Sequence, residues 1–162
     1  MVQFRILLGS ILLAFLIACG GPSQKSTAET GDAAAPQETQ ANPSDYDPDR
    51  GAGKFNEENV VLGATLDKAM ADRGHEIQKV KCSACHKLTD EKLVGPGWKG
   101  VTERQKPFWI MNFITNPDEM IDKDPVLQAQ LELCLVRMPN QNLTDDEARD
   151  ILEFMRENDG VK

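Results

Sequence analysis

The pentapeptide Cys82-Ser83-Ala84-Cys85-His86 constrains this chain more than any other stretch of it. On a turn of helix, positions three apart lie on one side. Two sulfurs at that spacing can therefore bond two arms of one flat ring, while the adjacent imidazole projects toward a metal at its centre. The rest of the chain leaves few other chemistries. With 2 His among 162 residues, a multi-histidine metal centre is excluded, and any acid–base engine would have to use carboxylates or His75 and His86 alone. The 18 Lys and Arg against 26 Asp and Glu give a net charge of -8. An acidic surface repels nucleic acid and anionic headgroups, so proteins are the expected partners and nucleic acid is not.

The pentapeptide has the spacing by which a c-type haem is attached. Other chemistries could use the same atoms. A zinc site could draw on Cys82, Cys85, Cys134 and either His75 or His86, a workable set by ligand type. It would lack a second close pair of ligands, and it leaves the histidine beside the motif unexplained. A thioredoxin-like redox pair expects a βαβ setting, and no strand alternation is visible. A disulfide between Cys82 and Cys85 is the remaining alternative. Covalent haem uses all three residues, and it suits a chain exported to a dilute compartment where a loosely held group would be lost.

Export is what the N-terminus predicts. Residues 1–18 carry one cation, Arg5, and then an apolar run from Ile6 to Ala18 broken only by Gly9 and Ser10. This is a secretory signal pattern. The run is shorter than the roughly 20 residues of a membrane-spanning helix. Its end, Leu16-Ile17-Ala18-Cys19-Gly20, resembles the bacterial lipoprotein box, which implies cleavage before Cys19 and lipid on that cysteine. An ordinary signal peptide beside an incidental cysteine is the alternative. Two or three acyl chains would hold the protein stably at a membrane, facing the periplasm. Residues 19–54 are rich in Gly, Pro, Ser, Thr, Ala and Gln and are expected to form a disordered tether. A flexible coil of about 35 residues would reach about 30 to 35 Å.

Residues 55–162 read as a small all-α domain of about four helices. Leu62, Leu66, Ala69 and Met70 share one helical face, which Gly74 and Ile77 continue toward Cys82, so a helix is expected from about Glu57 to Arg73 ahead of the motif. Pro107 and Asn116-Pro117 frame a second helix, with Ile110, Phe113 and Ile114 as its apolar stripe. Asp124-Pro125 starts a third, through Leu127, Leu131, Cys134 and Leu135. Thr144 and Glu147 form a capping box for the last, and Gly160 stops it. A core of this size is marginal, and an internal prosthetic group would help to fill it.

Over roughly residues 70–160 the chain resembles the class I, mitochondrial-type cytochromes c. Gly74 and Ile77 stand before the motif as in that family's first helix, where the glycine lets the terminal helices cross closely. Phe154 matches the aromatic at the crossing. Gln78 stands where an aromatic is common, which implies either a looser crossing or one that relies on Phe154 alone. Leu93-Val94-Gly95-Pro96-Gly97-Trp98-Lys99-Gly100 resembles the family's Gly-Pro loop. The resemblance implies that the Pro96 carbonyl accepts a hydrogen bond from the iron-ligating His86, which would orient the ring and strengthen its donation. By itself Pro96 could be a plain turn former.

The resemblance also implies a methionine as the sixth ligand. Met1 is lost with the signal, Met70 and Met155 sit on apolar helix faces, and Met111 and Met120 flank the second helix. Met138 follows a helix end, precedes Pro139 as in the family's Met-Pro motif, and lies 52 residues after His86. Met120 is the reserve. Cytochromes of the four-helix-bundle type, which leave an iron position open, carry the motif near the C-terminus, whereas 76 residues follow His86 here. One haem c on Cys82 and Cys85, ligated by His86 and Met138, would be six-coordinate and suited to electron transfer rather than catalysis.

The expected function is thus a membrane-tethered electron carrier between a quinol-oxidising complex and an extracytoplasmic terminal reductase or oxidase. Met111–Asp118 and Cys134–Asn140 resemble segments of short cytochromes associated with nitrous oxide reduction, which implies nitrous oxide reductase as one such acceptor. The alternative is a haem sensor or small-ligand binder in which Met138 is displaced. Trp98 and Trp109 are candidates for packing on the ring or for ordinary core. Cys134 reads as a small buried hydrophobe, and His75 as solvent-facing. Between His75 and Ile110, Lys79, Lys81, Lys87, Lys92, Lys99, Arg104 and Lys106 face four acids, so either a locally positive haem edge that steers toward an acidic partner or a mixed solvated surface is expected.

Overall fold

The two helices whose ends the sequence marks most clearly carry the architecture. A computed structural model describes residues 46–162, so the signal segment, Cys19 and the tether as far as residue 45 lie outside the described residues. The described elements are α1 Lys68–Lys81, α2 Val101–Arg104, α3 Pro107–Thr115, α4 Pro117–Lys123, α5 Pro125–Cys134 and α6 Asp145–Asn158. Among the described residues there is no strand, only an isolated bridge between His86 and Lys92. No described helix is long and apolar enough to cross a membrane.

Helix α6 starts on its capping box: Glu147 N–H donates to Thr144 Oγ1 at 3.2 Å, and Thr144 N–H donates to Glu147 Oε2 at 2.9 Å. Two of the orphan donors of a helix start are thereby satisfied. Its inner face, Ala148, Ile151, Leu152 and Met155, lies in the core. Helix α1 crosses α6 at Gly74. Any side-chain carbon there would collide with the Asp150 carbonyl and stand 2.9 Å from Phe154 Cβ, so the close approach requires glycine. Beside it the His75 ring stacks flat on Phe154, centroids 4.7 Å apart and planes at 13°. His75 is therefore a packing residue rather than a solvent-facing one. Gln78, on the same helix, is buried although it is polar.

Helices α3, α4 and α5 each have proline in the first turn, where its missing N–H costs nothing. They turn the chain around the far side of the core. At the start of α5, buried Asp124 accepts from Val126 N–H, Leu127 N–H, Trp109 Nε1–H and Tyr46 O–H at 2.8, 3.0, 2.9 and 2.5 Å.

The helix expected over 57–73 begins only at Lys68. Asn56 Oδ1 accepts from Glu58 N–H at 2.9 Å and Asn59 N–H at 3.2 Å, a turn that competes with helix. Asp67 is the N-cap of α1, accepting from Met70 N–H at 3.0 Å. Leu62 and Leu66 lie in the irregular segment ahead of it. That segment is bonded to α6: buried Glu153 accepts from Asp67 N–H at 2.9 Å and from Arg149 and Arg156 at 2.6 Å, while Arg156 also reaches the Gly63 carbonyl at 2.8 Å.

The stretch 46–54, read from composition as the end of the tether, packs on the helices as a strap. Ala52 and Phe55 are buried. Asn112 on α3 accepts from Phe55 N–H at 2.9 Å and donates to the Arg50 and Phe55 carbonyls at 3.0 Å.

Candidate functional site

The last turn of α1 delivers the pentapeptide. Cys85 N–H and His86 N–H both donate to the Cys82 carbonyl, at 3.1 and 3.0 Å, which keeps the motif coiled after the helix ends. Cys82 and Cys85 are free thiols, half-buried, and both line one cavity. The cavity holds about 1350 Å³ including its open mouth, and it lies between the motif, the 94–101 loop, α3, α5, the 136–143 loop and α6. Phe113, Ile114, Leu127 and Ile151 supply apolar wall.

His86 faces this space with a fixed ring. Its Nδ1 lies 2.8 Å from the Pro96 carbonyl oxygen. A carbonyl can only accept, so Nδ1 carries the proton and the Nε2 lone pair is left free. Burial holds the imidazole below the usual histidine pKa, with the Pro96 carbonyl opposing that shift. The ring is thus neutral near pH 7 and able to donate to a metal. The loop is seated by Val94 and Gly95 N–H groups donating to the Cys85 carbonyl at 3.2 and 2.9 Å, and a side chain at Gly95 would collide with the imidazole.

Burial pushes the Cys82 thiol up to about 11, with Lys81 opposing and Cys85 adding to the rise. A redox dithiol needs the opposite shift, so the thioredoxin-like alternative loses support. Among the described residues no three His, Cys, Asp or Glu side chains are grouped to hold a metal ion, which removes the zinc set.

Met138 lines the same cavity as His86 and the two cysteines. Helix α5 ends with Leu135 in the left-handed region at φ 59°, and the chain then runs without helix to Thr144. Arg137 anchors this loop, donating through Nε to Asp118 Oδ1 at 3.0 Å and through Nη2 to the Asp118 carbonyl and Asp122 Oδ1 at 2.9 and 2.6 Å. The reserve, Met120, is fully buried under the strap, where its sulfur accepts from Ala52 N–H at 2.8 Å; it is not on the cavity wall. Met155 is on the wall but sits in the core face of α6.

Trp98 and Trp109 are both buried cavity walls. The Trp98 ring lies 5.9 Å from His86 and 6.4 Å from Phe154. Cys134, expected in the core, is half-buried on the cavity wall instead. Sequence reasoning missed Asn112, Arg137 and Glu153, and read Asp124 only as the start of α5. Asn112 left a signal, a polar residue inside the apolar run Phe108–Ile114, since a buried polar group needs a bonded partner.

The donor set fits a haem: two thiols three residues apart, a neutral imidazole with one free nitrogen, and a thioether, around one largely apolar cavity. The family model described as cytochrome c matches residues 71–159. A solved cytochrome c from Rhodothermus marinus is similar at 36% identity and TM-score 0.61, covering 64% of this chain and 89% of its own. An engineered cytochrome c from that organism is similar at 35% identity and TM-score 0.60, covering 64% and 90%. A search of curated proteins finds no match.

Proposed function

Because the chain belongs to the cytochrome c family, as a class I monohaem electron-transfer protein with one covalently bound haem c, we propose that it is a lipid-tethered carrier. It takes single electrons from a quinol-oxidising complex and delivers them to an extracytoplasmic terminal reductase or oxidase. The haem supplies a reversible one-electron couple between ferrous and ferric iron. Cys82 and Cys85 hold the ring covalently. His86 Nε2 would ligate the iron, and the Pro96 carbonyl keeps the imidazole oriented and electron-rich. Met138, on the wall of the same cavity, would offer the iron its thioether sulfur, which would leave no position for a substrate and raise the potential relative to two nitrogen ligands. Trp98 and the apolar wall exclude water, so that little solvent rearranges when the charge changes. Cys19 carries the lipid, and the polar stretch that follows it lets the domain reach its partners.

The observation that supports this reading best is the Nδ1–Pro96 lock on His86, with Met138 on the wall of the same cavity. The test is the spectrum of the holoprotein and of Met138→Ala. The wild type should show a low-spin ferrous form unaffected by carbon monoxide and a sulfur-to-iron band when ferric. Met138→Ala should lose that band, bind carbon monoxide and fall in potential. Rapid carbon monoxide binding by the wild type would favour the sensor reading instead.

A further inference from the structure

Three carboxylates are buried among the described residues, those of Asp124, Asp150 and Glu153. Two of them are matched by arginine: Arg73 holds Asp150 at 2.7 Å, and Arg149 and Arg156 each hold Glu153 at 2.6 Å. Asp124 is 1% exposed and forms no ion pair among the described residues; its neighbour Lys123 turns to Glu119 at 2.7 Å instead. Hydrogen bonds take the place of a cation. Val126 and Leu127 N–H groups donate to Oδ1, and Trp109 Nε1–H and Tyr46 O–H donate to Oδ2. Both oxygens accept twice, a pattern that suits the carboxylate rather than the protonated acid. The positive end of α5 adds to it. Burial and the Asp124 carboxylate together hold the Tyr46 phenol above its usual range.

This arrangement exceeds what a helix cap needs. Oδ1 alone caps α5, and asparagine or serine would serve there. Oδ2 is satisfied by α3 and by the strap, from a tyrosine 78 residues away that lies outside the span 71–159 matched by the family. A buried charge without a counter-charge is costly, and a neutral residue would have avoided the cost.

The charge stands directly behind the cavity wall. Trp109, which donates to it, lines the cavity, as do Ile121 and Leu127, three residues to either side; Asp124 itself is not on the wall. These three side chains are buried, so little water screens the charge from the cavity. The cations of the wall do not offset it. Lys81 is paired with Glu147 and Arg137 with Asp118 and Asp122, while Arg104, without an ion pair among the described residues, is exposed to solvent that screens it.

We propose that Asp124 is a potential-setting residue: its buried negative charge holds the reduction potential below the value that the thioether and the apolar wall would otherwise give. The proposal rests on the electron-carrier reading. Reduction adds one electron to the iron, and a nearby negative charge disfavours that addition. At an effective dielectric of about 20, a unit charge one side-chain layer away is worth about tenfold in an equilibrium constant.

Potentiometric titration of the holoprotein and three variants tests this, with the sulfur-to-iron band followed alongside. Asp124→Asn, which keeps an acceptor for the α5 cap, should favour reduction about tenfold, a rise of about 59 mV for one electron. Tyr46→Lys leaves the cap alone and brings a cation to Oδ2; it should favour reduction about threefold, with the Trp109 indole N–H still protected from hydrogen exchange. Tyr46→Phe breaks the same strap bond but leaves the charge, and its midpoint should not rise. Loosening alone would admit water, which favours the more charged ferric state and lowers the potential, so loss of charge and loss of structure act with opposite signs.

An Asp124→Asn midpoint at or below that of the wild type would overturn the proposal. So would an equal rise in Tyr46→Phe, which would make the strap bond rather than the charge the cause. If Asp124→Asn does not hold its haem, Tyr46→Lys decides, a rise supporting the proposal and its absence overturning it. A wild type without a reversible couple would overturn the carrier reading itself, whereas a reversible couple that these variants leave unmoved would overturn the role of Asp124 alone.

Discussion

The two sides of the cavity are held by different means. On the His86 side, the decisive bond to Pro96 spans 10 residues, and the motif, the loop and the end of α1 are consecutive in the chain. On the Met138 side, Arg137 reaches back 15 and 19 residues, Asn112 holds the strap across 57, and Tyr46 meets Asp124 across 78. One side is set by chain spacing and one tight helix crossing. The other is a set of loops and short helices fastened by buried polar side chains. The difference predicts where the molecule tolerates change: the His86 side should fail by steric collision, and the Met138 side by loss of individual hydrogen bonds.

The sharpest way to break the first side is Gly74→Ala. Its new methyl meets main chain on α6, which cannot move aside as a flexible side chain could. A loss of about 3 kcal/mol or more is expected in denaturant unfolding of the holoprotein. A loss under about 1 kcal/mol would mean that the crossing is not what fixes this side. Asn112→Ala probes the second side with a smaller effect. It strands the buried Phe55 N–H and carbonyl, at a cost of about 2 kcal/mol, and should increase proteolysis of the strap before that of the helices.

Glu153 tests the joint between α6 and the 63–67 segment through pH. Burial works to raise its carboxyl, but the Asp67 N–H, Arg156 and Arg149 outweigh it, so the folded-state pKa lies below the ordinary 4.5. A carboxyl that binds its proton more weakly when folded stabilises fully above the ordinary value, and that stability is lost as pH falls through it toward the folded value. Glu153→Gln should therefore be less stable at neutral pH and show a flatter acid limb in a stability–pH curve. The mildest probe is Arg137→Ala. It should leave the unfolding midpoint nearly unchanged while imidazole binds the ferric protein several-fold more tightly, because the loop carrying Met138 yields more readily. Unchanged imidazole affinity would show that the loop is held by its apolar contacts instead.

The elements read correctly from sequence are those with local signals. The capping box at Thr144, the first-turn prolines at 107 and 125 and the Cys-Ser-Ala-Cys-His spacing each act within one or two turns, and each appears where expected. The helix expected over 57–73 failed for a related reason. Leu62, Leu66 and Met70 have helical spacing, but Asn56 and Asp67 offer side-chain oxygens to nearby N–H groups, and Glu153 and Arg156 bind the segment in an irregular path. Periodicity reports which residues are buried; it does not report the distant partner that buries them.

The sequence alone determined the covalent chemistry, because thioether attachment and a following imidazole depend on positions adjacent in the chain. It also determined where α3, α5 and α6 start, since their first-turn prolines and caps are local. Tertiary structure alone decided that Met120 serves the strap rather than the cavity, that Asp124 and Asn112 are hubs, and that Cys134 lines the cavity rather than the core. These depend on which groups meet across tens of residues, where a charge is cancelled or a sulfur buried by a partner that no neighbouring residue announces.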